Sequence, residues 1–119
     1  MPHHKGTPSP TDLLEHEFAQ EKASALGRMG RALEAALAAL AAFDATERHE
    51  APAVGRGELR AALVAEASVA LWHFVVQREA CGLRDLRYVL RDYRVPAEVA
   101  ARMGALSDAP PRPRRPKFR

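Results

Sequence analysis

Cys81 is the only thiol in the chain, and His73, Arg78 and Glu79 lie shortly before it, so the first chemistry to weigh is a cysteine nucleophile with a histidine base. Spacing argues against it. Residues eight apart on one straight helix are separated by about 12 Å along the axis, whereas a nucleophile and its base must come within about 3 Å. Cys81 is therefore expected to be a small structural side chain near a helix end. Glu66, His73 and Gln77 share a seam of the same segment and could hold a polar ligand or bind across an interface, but a solvated seam between two packed faces is by far the commoner explanation. The chain contains no Gly-rich phosphate loop, no HExxH, no nucleophile elbow, no Cys pair at metal-ligand spacing and no ExxH of the di-iron bundles. No catalytic residue, metal site or cofactor is expected, and an enzyme is disfavoured.

Arginine supplies the other candidate chemistry. Arg84, Arg87, Arg91 and Arg94 recur at spacings of 3, 4 and 3, which on a helix forms one basic stripe able to lie along phosphates. Asp85 and Asp92 dilute it, and with 15 Arg against 3 Lys in the chain an arginine-rich solvated face is the commoner explanation. The C-terminal segment adds Arg112, Arg114, Arg115, Lys117 and Arg119 with no acid, and it alone makes the net charge +3; the first 108 residues carry 13 basic groups against 15 acidic ones. A short helix, a turn at Arg94 and Val95 and a helix opened by Pro96 match a helix-turn-helix in length. The turn position usually held by Gly is Arg94, however, and Ala97 to Arg102 offers little for base readout. Nucleic-acid binding through the stripe and the tail is thus the alternative function. The tail also contains PxxP spacings (Pro110 to Pro113, Pro113 to Pro116), and a solubilising role explains it more simply.

The elements that must position these residues are helices. Ala and Leu dominate the apolar residues, β-branched residues are few, and Gly and Pro cluster between long periodic segments, so an all-α fold is expected. Ser9 and Pro10 read as an N-cap and first helical position, with Asp12 near the positive dipole end, opening a helix from 10 to 44 that is about 50 Å long. Ala25, Leu26, Met29, Leu33, Ala36, Leu37, Leu40 and Phe43 share one face of it at heptad spacing, suited to an antiparallel neighbour. Glu15 and Lys22 interrupt that face upstream, with Leu14 and Phe18 at its edge, while Gly27 and Gly30 mark either a bend or a close helix crossing. Residues 45–57 read as a loop. A second helix spans 58 to 81, with Gly82 as its left-handed cap. It is apolar on two sides, Leu63, Val64, Leu71, Phe74 and Val75 on one and Val69, Trp72 and Val76 on the other, as a central helix buried twice would be. Short helices over 85–93 and 96–106 complete a single domain of residues 10–106, between a disordered 1–9 and a disordered 107–119.

The stretches Glu17–Gly30 (EFAQEKASALGRMG) and Val75–Tyr93 (VVQREACGLRDLRYVLRDY) resemble a family of short, uncharacterised bacterial helical proteins classed as a domain of unknown function, a likeness covering about residues 13–104. The resemblance implies a stand-alone bacterial helical domain and carries over no activity or ligand. The lone cysteine, the lack of an apolar signal segment and the lack of an uninterrupted apolar run of about 18 residues lead to the expectation of a cytoplasmic protein without a membrane partner.

Unequal helix lengths lead to the last expectation. A first helix of about 50 Å paired with a second of about 36 Å projects by several turns, carrying Leu13, Leu14 and Phe18. One pair of short helices is too little to cover both this overhang and the second apolar face. The expected function is a protein–protein interaction or scaffold module that forms a homodimer through Phe18, through Val69, Trp72 and Val76, or through both.

Overall fold

The computed structural model describes residues 9–49 and 54–108. Among these the chain is all-α: α1 (Pro10–His49), α2 (Arg56–Ala80), α3 (Leu86–Asp92) and α4 (Ala97–Asp108). α1 starts where its cap signals put it. The Asp12 amide donates to Ser9 Oγ at 3.1 Å and the Ser9 amide donates to Asp12 Oδ2 at 3.4 Å, a reciprocal cap with Asp in the place usually taken by Glu. Its end lies beyond the expected Asp44, because the residues read as loop contain no breaker before Pro52, and the Thr46 hydroxyl is satisfied within the helix by the Ala42 carbonyl at 3.0 Å. α2 opens two residues early, after Gly55 at φ 89°, with the Arg56 guanidinium 4.6 Å from the centre of the Phe43 ring. α3 is shorter than expected, since Asp85 and Tyr93 are its caps, and α4 runs on to Asp108. Of the predicted tails 1–9 and 107–119, residues 1–8 and 109–119 lie outside the described residues, whereas Ser9 caps α1 and residues 107–108 belong to α4, a correction to the expected ends.

α1 and α2 form the long antiparallel hairpin. Leu33 and Leu40 of the heptad stripe are buried against Val64, Ala67, Leu71 and Phe74, with Leu26, Met29, Ala36 and Leu37 packed around them. Val89 of α3 and Val99 and Met103 of α4 close the core. Arg60 ties three helices at one end: its guanidinium donates to both carboxylate oxygens of Asp44 at 2.7 and 3.0 Å and pairs with Glu98 at 2.6 Å. Hydrogen bonds to these two carboxylates raise the Arg60 pKa above the ordinary arginine value. Ser68, fully buried, donates from Oγ to the Val64 carbonyl at 2.8 Å and reaches the Val99 carbonyl at 3.3 Å, which sets the backbone of α4 directly against α2.

The expectation that α2 is buried on both apolar sides needs correction. α4 packs on the side of Val64 and Ser68, next to the α1 seam, so α2 is central but its buried arc is one broad face. Val69, Trp72 and Val76 remain 41%, 37% and 44% exposed. The physical reason is connectivity: α3 and α4 follow the Gly82 turn and are spent on Val89, Val99 and Met103, so no described helix lies over the opposite side.

Both turns in the C-terminal half end a helix with the same hydrogen-bond pair. After α2, the Leu83 amide donates to the Arg78 carbonyl at 2.8 Å and Gly82 to Glu79 at 2.9 Å, with Gly82 at φ 86°. After α3, Val95 donates to Leu90 at 2.9 Å and Arg94 to Arg91 at 3.2 Å. There the left-handed position is held by Arg94 at φ 52°, a conformation that glycine adopts at less cost.

The two glycines of α1 differ in purpose. A Cβ on Gly30 would stand 3.1 Å from Tyr93 Oη and 3.3 Å from Phe74 Cε1, so Gly30 permits the close approach of the Phe74–Tyr93 pair, whose rings meet edge to face at 5.2 Å. At Gly27 a Cβ would meet only the end of the Arg31 side chain at 3.4 Å. Gly27→Ala is therefore expected to stabilise the protein by about 0.5 to 1 kcal/mol through helix propensity, whereas Gly30→Ala gives no such gain. Urea denaturation of the two variants measures the difference.

Candidate functional site

The catalytic options read from the sequence do not assemble. Glu66 and His73 are exposed on the back of the hairpin, while Gln77 turns to α1, where its Nε2 donates to the Lys22 carbonyl at 3.4 Å. Cys81 Sγ lies 3.9 Å from the same carbonyl. Among the described residues no cluster of His, Cys, Asp or Glu could hold a metal ion.

The arginine stripe is not a single helix face. Only Arg87 and Arg91 belong to α3; Arg84 precedes its cap and Arg94 sits in the left-handed turn beyond its end. All four are exposed, and Arg112, Arg114 and Arg115 lie outside the described residues. Behind them, Arg78 reaches over the rings of Phe74 and Tyr88 at 5.9 and 5.6 Å, so this one arginine serves packing of the α2–α3 corner.

At that corner, burial moves the Tyr93 pKa above the usual phenol value, and the charges of Glu34 and Asp92 add to the effect. The folded protein thus binds the phenolic proton more tightly than the unfolded chain. Its contribution to stability is full below about pH 10 and is lost as pH rises through the folded value. Ultraviolet titration is expected to show one of the two tyrosines ionising late, with that phase missing from Tyr93→Phe.

What the fold leaves open is apolar surface. α2 ends beside Lys22, so the N-terminal turns of α1 project with Leu13, Leu14 and Phe18 at 50%, 52% and 62% exposure. Where α2 stops, Glu15, Phe18, Ala19, Lys22, Leu26 and Cys81 border an open notch of about 580 Å³. Farther along the hairpin, Met29 and Ala32 of α1 with Ala62, Val69 and His73 of α2 line a second open groove of about 510 Å³. Trp72 and Val76 stand near Val69 on the exposed side of α2, the Trp72 ring tilted against His73 at 5.7 Å. Length and composition also make α2 apolar enough to cross a membrane, with a mean hydropathy of 1.5 over its best 18 residues, although 28% of that stretch is buried in the fold.

Of the candidate interface residues, Val69, Trp72 and Val76, marked by helical periodicity, and Phe18, marked by the unequal helix lengths, are all exposed. Sequence reasoning missed Arg60 and Ser68, the polar residues that fix α4 on the hairpin. No curated protein and no solved structure matches the chain. Residues 6–112 match a family of unknown function, DUF6665, which spans both helices of the hairpin, and the chain belongs to that family.

Proposed function

We propose that this protein is a helical protein–protein interaction module that works as a homodimer. The observation that supports this is the side of α2 bearing Val69, Trp72 and Val76, together with the α1 overhang bearing Leu13, Leu14 and Phe18: both expose large apolar side chains and neither is covered by α3 or α4. Apolar area of this kind gains free energy when it leaves water, and a second copy packed about a two-fold axis is the commonest oligomeric arrangement that covers it. A polar strip of Glu66 and His73 beside Val69 suits a protein partner better than lipid, where these groups would be costly. The nucleic-acid reading draws less support, because only two of its four arginines share α3.

Light scattering coupled to size exclusion tests the proposal at micromolar concentration. The expected mass is twice the 13.0 kDa of one chain, reduced towards one chain by Phe18→Glu or Trp72→Glu. A single-chain mass for the wild type overturns it. Duplex DNA and RNA at low salt are the control for the alternative, since the phosphate term is largest there.

A further inference from the structure

We propose that the α1 overhang pairs antiparallel with the overhang of a second copy, Glu15 of each facing Lys22 of the other; this rests on the self-association proposed above and names where and how the copies meet. α2 ends with Gln77 and Cys81 at the Lys22 carbonyl, so from Pro10 to Lys22 the seam of α1 has lost its neighbour, over about 20 Å. The notch there continues a helix-to-helix seam: Ala19 stands one heptad before Leu26, and Lys22 and Glu15 stand one and two heptads before Met29. A helix is the shape that fills it. The short helices of the same chain are already committed, with Val89, Val99 and Met103 in the core.

Charge and sterics select the same occupant and the same direction. Along the exposed seam the outer position is acidic, Glu15, and the inner one basic, Lys22. The identical segment reversed presents the complementary order, so both ion pairs form at once about a two-fold axis. A parallel copy would set Glu15 against Glu15 and Lys22 against Lys22, and its 40-residue α1, continuing inward, would run into the end of α2. An antiparallel copy in this register sets its Pro10 opposite Gly27, so it meets α2 only over its first turns, which cross α1 at an angle over the notch, and from there it runs outward, with its positive N-terminal dipole end beside the negative C-terminal end of α2. Leu14 and Phe18, at the edge of the seam, come under cover in this arrangement.

The test is charge exchange, read by light scattering and sedimentation on the full chain. Glu15→Lys and Lys22→Glu are each expected to weaken the dimer about tenfold, and the double exchange Glu15→Lys with Lys22→Glu restores wild-type affinity. Both sites are exposed, and unchanged circular dichroism confirms that each variant is folded. In a Cys81→Ser background, Glu15→Cys combined with Lys22→Cys is expected to form an intersubunit disulfide that neither single cysteine forms. A wild-type dimer indifferent to both single charge reversals, or a disulfide formed by either single cysteine, overturns the antiparallel pairing and leaves self-association standing. A monomeric wild type overturns both.

Discussion

Leu71→Ala is expected to lower the unfolding free energy by about 3 to 5 kcal/mol, while Trp72→Glu one residue along costs about 1 kcal/mol or less. Leu71 has no exposed surface and sits among Leu33, Ala67 and Phe74, so truncation loses its transfer free energy and leaves a cavity that two long helices locked along a seam cannot close. Trp72 is more than a third exposed and contributes its ring to no buried cluster. Urea denaturation of the wild type and both variants, diluted until each is a single chain, measures both quantities free of any contribution from association, and equal losses would mean that the Trp72 side of α2 is core. The comparison also protects the test of self-association: loss of the dimer in Trp72→Glu identifies an interface only when the chain remains folded.

How much of this was legible depended on how far apart in the chain the deciding groups lie. The start of α1 was readable because Ser9 and Asp12 cap each other three residues apart, and the end of α2 because Gly82 supplies its own left-handed turn. The heptad stripe was readable because a helix repeats faithfully over Leu26, Leu33 and Leu40. The end of α1 is less legible, since the charge of Glu47, Arg48 and His49 suits a loop as well as a helix and none of these residues breaks a helix, so α1 runs past Asp44.

Choice between faces was a different difficulty. Periodicity marks Val69, Trp72 and Val76 as apolar, but it cannot say which side of α2 a short helix arriving from Gly82 will take. That choice is made by groups distant in sequence: Arg60 with Asp44 and Glu98, 16 and 38 positions away, and Ser68 with the Val99 carbonyl, 31 away. Each is an unremarkable polar residue when read alone. Glu15 and Lys22 are the reverse case. They read as interruptions of the stripe, and they fall where α2 ends and leaves the seam open.

Ser68→Leu is the substitution expected to separate α4 from the hairpin, at a cost of about 2 to 3 kcal/mol. Ser68 is fully buried, and its hydroxyl oxygen stands 3.3 Å from the backbone carbonyl of Val99, so the space it fills is bounded by main chain that cannot turn aside as a side chain can. A leucine there must push α4 outward. That displacement also pulls Glu98 from Arg60 and uncovers Val99 and Met103, which lie on the same helix. Ser68→Ala keeps the size and loses only the hydroxyl; the Val64 and Val99 carbonyls still accept bonds from their own helices, so its cost is about 1 kcal/mol or less. Hydrogen exchange distinguishes the two: in Ser68→Leu the amides of α4 are expected to lose protection while those of the Leu33–Leu71 seam keep theirs, and in Ser68→Ala both sets stay protected. Equal effects of the two substitutions would show that the hydroxyl rather than the small volume at Ser68 holds α4 in place.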